Sequence, residues 1–348
     1  MKLRWGVIGA GGIANRRTIP EGIMPARNAR LVAVMDADKK RTDEVAAKYG
    51  NVKAYYDSSD LLANEEVDAV YVAIPTHMHC SEVVKAAKAG KHVLCEKPMA
   101  MNVAEAKRMI AACRKARVKL GLGYMMRFHP HHVALREMVE QRRLGTLVMG
   151  RGELTCWYPK IGGAWRQIPK LGGGGSFIDM ASHCVDVLEM FFGKVKRVTA
   201  FTNSLVQAYP VEDTAIAALE FRSGALGMVD ALFNVPDEAG ICALEVYGTL
   251  GSVVASGTIG QSSAGDMTAR LIEKPKGYAA AQTRAGAVKV FKVKPRPRNI
   301  YQAQIEEFSR AVLENKKPPV PGEDGLWNLK VCLAVYESAR TGRAVTVR

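Results

Sequence analysis

From residue 3 to about residue 127, short apolar runs alternate with helix-length amphipathic segments. That rhythm is the signature of repeated βαβ units and predicts a parallel sheet. The strand candidates are LRWGVIG from Leu3, LVAVMD from Leu31, VDAVYVAI from Val67, HVLCEK from His92 and KLGLGYMM from Lys119. Several are apolar nearly throughout, as strands covered on both faces must be. Between the last two, Val103, Ala106, Met109, Ile110, Cys113 and Ala116 recur at helical spacing and basic residues crowd the end, which predicts a crossover helix.

After about His132 the texture changes. DTAIAALEF and ALGMVDALF are joined by RSG, and ALEVYG and SVVASG by TLG, so two hairpins of a mainly antiparallel sheet are expected. The stretch 257–298 is rich in Gly, Ala, Ser and Lys and is expected to form loops with one late strand, KVFKVK. Helical patterns return at YQAQIEEFSRAVLEN and LWNLKVCLAVYESARTG. The expected fold class is α/β. Residues 1–125 form a doubly wound, NAD(P)-binding Rossmann domain, and residues 126–348 an α+β domain with a large, mainly antiparallel open sheet for substrate binding and oligomerisation. The helices at about 300–341 are expected to pack back toward the first domain.

Composition narrows the picture only a little. A chain of 348 residues suits about two domains, and no run approaches the roughly 20 apolar residues of a membrane span. Seven cysteines lack a C-x-x-C pair or metal-like spacing, so they are expected to be reduced, mostly buried thiols of a cytoplasmic protein that binds no metal. The formal charge of +15 raises nucleic-acid binding. The basic residues are weakly clustered and have no aromatic-rich recognition motif beside them, so a solvated basic surface is expected instead, one that attracts an anionic dinucleotide.

Candidate chemistry starts with Gly9-Ala10-Gly11-Gly12-Ile13-Ala14, which follows the first strand and opens a helix. Gly9 permits the tight turn, Gly11 the approach of backbone to diphosphate, and Ala14 close helix–sheet packing. Asp36 ends the second strand, where a carboxylate binds the ribose hydroxyls of NAD and repels the phosphate of NADP. Lys39, Lys40 and Arg41 could neutralise that phosphate; NAD is preferred to NADP. Lys97 ends another strand on the ligand face of such a sheet, where an ammonium can hold the reacting oxygen. LGGGGSFIDMASHCVDVLEMFFG places Asp179 and His183 four residues apart at a helix start, so both project from one face. Tyr124, Arg127 and His129 sit where the first domain hands over to the second.

The segment YVAIPTHMHCSEVVKAAKAGKHVLCEKPMAMN, with Glu96-Lys97-Pro98, resembles the glucose-fructose oxidoreductase / inositol dehydrogenase / rhizopine-catabolism (Gfo/Idh/MocA) family, and the similarity runs through almost the whole chain. The resemblance implies an NAD(P)-dependent oxidoreductase acting on a sugar, inositol or related polyol. It implies that Glu96 contacts the cofactor side of the pocket, that the Lys97-Pro98 peptide is cis, and that Pro75, Thr76 and His79 border the nicotinamide ribose, His77 being the weaker candidate. Arg127 is assigned to the cofactor. Lys97, Tyr124, Trp165, Arg166, Asp179 and His183 are assigned to the substrate. Lys97, Asp179 and His183 are the catalytic set, with His183 as the base. Two alternatives stay open, an enzyme that keeps NAD bound as a relay for glycosidic cleavage or epimerisation, and a non-catalytic dinucleotide sensor. A homo-oligomer, dimer or tetramer, is expected through the exposed face of the second sheet.

Overall fold

A computed structural model describes residues 1–274 and 288–348. By the density of its contacts the chain divides into two units, Met1–Phe128 with Gly162–Gly175 and Arg298–Lys330, and His129–Ile161 with Ser176–Pro297 and Val331–Arg348.

The first unit holds a six-stranded sheet. Its strands are β1 (Leu3–Ile8), β2 (Ala29–Met35), β3 (Lys53–Tyr55), β4 (Ala69–Val72), β5 (His92–Cys95) and β6 (Leu120–Leu122), in the order β3-β2-β1-β4-β5-β6. All neighbouring pairs are parallel. The order reverses between β1 and β4, and ligands of doubly wound sheets bind at such a switch point, beyond the carboxyl ends of the strands. Burial is complete along β4, which explains its uninterrupted apolar run. Trp5 anchors the core: its ring is fully buried, lies 5.4 Å from Phe308, and donates its indole N–H to Ser309 Oγ at 3.1 Å. The crossover helix is Val103–Lys115, with Ala106, Met109 and Cys113 inward.

The second unit holds nine strands, β7 (Leu147–Thr155), β8 (Val195–Asn203), β9 (Thr214–Phe221), β10 (Leu226–Leu232), β11 (Leu244–Gly248), β12 (Gly251–Ser256), β13 (Asp266–Leu271), β14 (Lys289–Lys292) and β15 (Val345–Thr346). Their order is β14-β13-β12-β11-β7-β10-β9-β8-β15. Both expected hairpins are present, β9/β10 and β11/β12, and the sheet is antiparallel except where β10 runs parallel to β7. The expectation of loops through 257–298 needs correction, because Asp266–Leu271 is a strand paired with β12 and β14. Its burial alternates, so its apolar positions face one side only. Part of that stretch, 275–287, lies outside the described residues.

The helix Ser182–Phe192 lies against β7. Gly150 and Gly152 allow this, since a Cβ on Gly150 would strike Phe192 and one on Gly152 would come 2.9 Å from Cys184 Cβ. The other face of the sheet leaves apolar side chains in solvent: Phe201 is 73% exposed and Leu226 59%. Among the described residues no helix is long and apolar enough to cross a membrane.

Candidate functional site

Four of the sequence-selected segments leave the carboxyl ends of neighbouring parallel strands: Gly9–Gly12 after β1, Asp36 after β2, Pro75 and Thr76 after β4, Glu96 and Lys97 after β5. Gly9 adopts φ +90, which only glycine takes without strain, and its Cα faces the Ala73 carbonyl across the switch point. The helical segment Ala10–Ile23 follows, broken at Gly12 (φ −98, ψ −126). A Cβ on Gly12 would meet nothing within 4 Å, whereas at Gly11 it would collide with Arg41. The turn is therefore open to a ligand where Gly12 and the half-buried Ile13 begin the helix.

Asp36 is not the cap of the next helix, because Asp38 fills that role, accepting the Arg41 N–H. Instead an Asp36 carboxylate oxygen accepts the Gly11 N–H at 2.9 Å, which ties the end of β2 to the glycine turn. Lys39, Lys40 and Arg41 are exposed. Lys39 lies 5.3 Å over the Tyr56 ring and Arg41 3.7 Å from Asp38. Thr76 is fully buried, and its hydroxyl has no hydrogen-bond partner among the described residues, an orphan a ligand oxygen would satisfy. Open turn, helix-start N–H groups, a carboxylate at the end of β2 and a buried hydroxyl together fit a dinucleotide.

The Lys97-Pro98 peptide is cis. Glu96 holds this corner: its carboxylate accepts the Lys97 N–H at 3.2 Å and the Tyr71 hydroxyl, which in turn accepts the Thr18 hydroxyl at 3.0 Å. Burial pushes the Glu96 carboxyl up, against the pull of Tyr71 and Lys97. Burial also pushes the Tyr71 phenol well up, with the Glu96 charge adding to it, so Tyr71 stays a donor.

The other candidates have these surroundings. His79 is buried, with Nδ1 3.0 Å from the Pro98 carbonyl and Nε2 2.9 Å from that of Ile74. Both ring nitrogens face backbone carbonyls, and the single N–H of the neutral ring donates to one of them, so His79 lies between the loop after β4 and the Lys97-Pro98 corner. Burial pushes its pKa down to about 4. His77 is exposed. Tyr124 is 1% exposed, and its hydroxyl donates to Asn328 Oδ1 at 2.8 Å. Arg127 is paired with Asp324 at 2.9 Å, which meets much of its charge without a phosphate. Trp165 and Arg166 belong to the first unit, and the guanidinium lies 4.2 Å over the indole. Arg166 also acts electrostatically on both His79 and Glu96.

In the second unit, Asp179 lies within Phe177–Ala181, one wide turn closing i→i+5, which runs into the helix Ser182–Phe192 carrying His183. Asp179 is half-buried and His183 4% exposed. His129 caps the helix Pro130–Glu140 from its imidazole, a structural task, and burial pushes it down to about 4. Thr18 and Tyr71, which hold the Glu96 carboxylate, are supporting residues that sequence reasoning missed. Tyr71 alone had a signal, a hydroxyl inside an otherwise apolar strand. Among the described residues no group of three His, Cys, Asp or Glu side chains is arranged to hold a metal ion.

Comparison with known proteins agrees with both sheets. Residues 3–124 match the oxidoreductase family's NAD-binding Rossmann fold, and residues 136–347 that family's C-terminal alpha/beta domain. The chain is 30% identical over 347 residues to 1,5-anhydro-D-fructose reductase of Ensifer adhaerens, covering 99% of this chain and 98% of the relative. It is 32% identical over 357 residues to myo-inositol 2-dehydrogenase of Thermotoga maritima, covering 99% and 98%. Among solved structures, aldose-aldose oxidoreductase of Caulobacter crescentus in complex with glycerol superposes with a TM-score of 0.88 at 29% identity, covering 99% of this chain and 100% of that one.

Proposed function

Because the chain belongs to the Gfo/Idh/MocA oxidoreductase family, we propose that it interconverts a secondary alcohol and a carbonyl on a sugar, inositol or related polyol, with Lys97, Asp179 and His183 as its catalytic residues. The observation that carries this reading is the convergence of Gly9–Gly12, Asp36, Thr76 and Lys97 at the carboxyl ends of four adjacent parallel strands. The N–H groups at Gly12 and Ile13 would hold the diphosphate, Asp36 the adenosine ribose, and Pro75 and Thr76 the nicotinamide ribose. The bound nicotinamide supplies the acceptor and donor of hydride.

The chain's own residues handle the oxygen and the proton. The Lys97 ammonium donates a hydrogen bond to the reacting oxygen and stabilises alkoxide character there. His183 takes the hydroxyl proton in oxidation and returns it in reduction, since an imidazole transfers protons near neutrality. Asp179 binds a neighbouring hydroxyl or passes that proton on. Trp165 offers an apolar face and Arg166 hydrogen bonds, the combination a polyhydroxylated ring needs. The cofactor is NAD in preference to NADP, with Asp36 disfavouring a 2′-phosphate. The open sheet face bearing Phe201, Ile216 and Leu226 joins copies of the chain into a dimer or tetramer. The free thiols suit a cytoplasmic location.

Absorbance at the NADH band tests the reading, with D-glucose, myo-inositol and 1,5-anhydro-D-fructose each presented to oxidised and reduced NAD and NADP. Turnover with at least one of them, faster with NAD, is expected. NADH binding without turnover of any of the three would overturn it.

A further inference from the structure

We propose that Glu212 and Tyr336 are positioning residues for Asp179 and His183, forming a helix cap supplied from distant chain segments. The inference rests on the reading of Asp179 and His183 as the proton-handling pair.

A helix start leaves its first N–H groups without intrahelical acceptors, and usually the side chain at the N-cap takes one of them. Ser176 occupies that position here, but it has helical backbone angles (φ −59, ψ −35) and its side chain makes no capping bond. Two remote residues do the work. The Ser176 N–H donates to the Glu212 carbonyl at 3.0 Å and the Phe177 N–H to Glu212 Oε1 at 2.9 Å. The Ile178 N–H donates to the Tyr336 hydroxyl at 3.2 Å, and that hydroxyl donates to Glu212 Oε1 at 2.8 Å. Three successive donors immediately before Asp179 are thus held by one glutamate between β8 and β9 and one tyrosine on the helix Gly322–Thr341. The tyrosine ring also packs edge-on against Phe177, with centroids 6.4 Å apart.

The turn held in this way is the wide one. Closure i→i+5 is rare and tends to mark functional sites, and an unusual backbone persists only where its surroundings over-determine it. Side chains four residues apart are set differently around the axis by an i→i+5 turn than by an i→i+4 turn. The relative direction of Asp179 and His183 therefore depends on the turn staying wide. Burial and the Glu212 charge hold the Tyr336 phenol well above its ordinary range, so it remains a donor at every working pH.

The experiment compares Tyr336→Phe, Glu212→Gln and Glu212→Ala with the parent, using the best substrate of the panel above. Tyr336→Phe and Glu212→Ala are expected to lower kcat about tenfold and to shift the acid limb of its pH profile by about half a unit. NADH affinity, read by fluorescence, is expected to change less than twofold. Glu212→Gln, which keeps an acceptor for Phe177, should recover most of kcat. Amide exchange at residues 176–178, which needs no substrate, should quicken about tenfold in Tyr336→Phe. An unchanged pH profile and unchanged exchange would overturn the proposal, as would a loss of kcat that merely parallels a loss of NADH affinity. Asp179→Ala and His183→Ala run alongside separate the two ideas. If these retain turnover, the assignment of the pair is wrong; if they lose it while Tyr336→Phe does not, only the positioning role falls.

Discussion

Both halves of the molecule hold their candidate groups with a tyrosine that donates to a glutamate, but the two pairs do different work. In the first unit Glu96 is adjacent in sequence to Lys97, and Tyr71 reaches it from the neighbouring strand. In the second, Glu212 and Tyr336 are remote from Asp179 and reach the backbone that carries it. A parallel sheet brings side chains to one edge simply by ending its strands there, so local support suffices. A helix start is only as well directed as its cap, and here the cap is borrowed. The same polar pair thus holds the N–H of the very next residue in one case and successive N–H groups of a remote helix start in the other.

The largest effect that would sharpen this contrast is expected at the side chains themselves. His183→Ala and Lys97→Ala should each lower kcat by roughly a hundredfold to ten-thousandfold, the usual scale for removing a proton-transfer or charge-stabilising group, as read by NADH absorbance. Near-normal turnover in either variant would break the assignment. Next comes the cofactor end. Asp36→Ser should shift the ratio of kcat/KM for NAD over NADP by about tenfold toward NADP, as loss of a ribose ligand and of a repelling charge requires.

A smaller effect is expected at the first tyrosine. Tyr71→Phe removes a donor from a buried carboxylate and should cost about 1–3 kcal/mol in urea unfolding. It should also lower kcat without the shift in pH profile expected of Tyr336→Phe. If the two phenylalanine variants behave alike, the distinction between local and remote support fails.

Acid sensitivity gives the smallest and broadest signal. His79 and His129 are held down to about 4 by burial, below the ordinary 6.5. Each binds its proton more readily when unfolded, so the stability each contributes is full above about pH 6.5 and is lost as pH falls through about 4. Within that window each should contribute a slope of roughly 1 kcal/mol per pH unit. Urea midpoints measured at pH 7 and pH 5 should therefore converge in His79→Gln relative to the parent.

Much of the first unit was legible because its strands are apolar on both faces and their ends coincide with glycine, acid or lysine signals. β3 escaped notice since Lys53–Tyr55 is three residues long with no buried position. β7 and β13 were hidden for another reason: each alternates, and β7 includes Gly150, Arg151 and Gly152, which dilute the pattern. Asp179 and His183 were visible as a spacing. The wide turn beneath them was not, because an i→i+5 closure leaves no mark in a 3.6-residue periodicity. Glu212 and Tyr336 were invisible as partners of that turn, since nothing local in a loop acid or a helical tyrosine names a backbone N–H far away in sequence. The position of His79 is legible in the sequence, whereas the carbonyls around its ring are not.

The two glycines of β7 set a tolerance on all this. Cys184, pressed against Gly152, is the next residue after His183, so one added methyl on the strand has no room unless the helix lifts away. The imidazole's placement is thereby gauged from below by a missing carbon atom, and drift at position 152 would retune the chemistry without touching any residue that performs it.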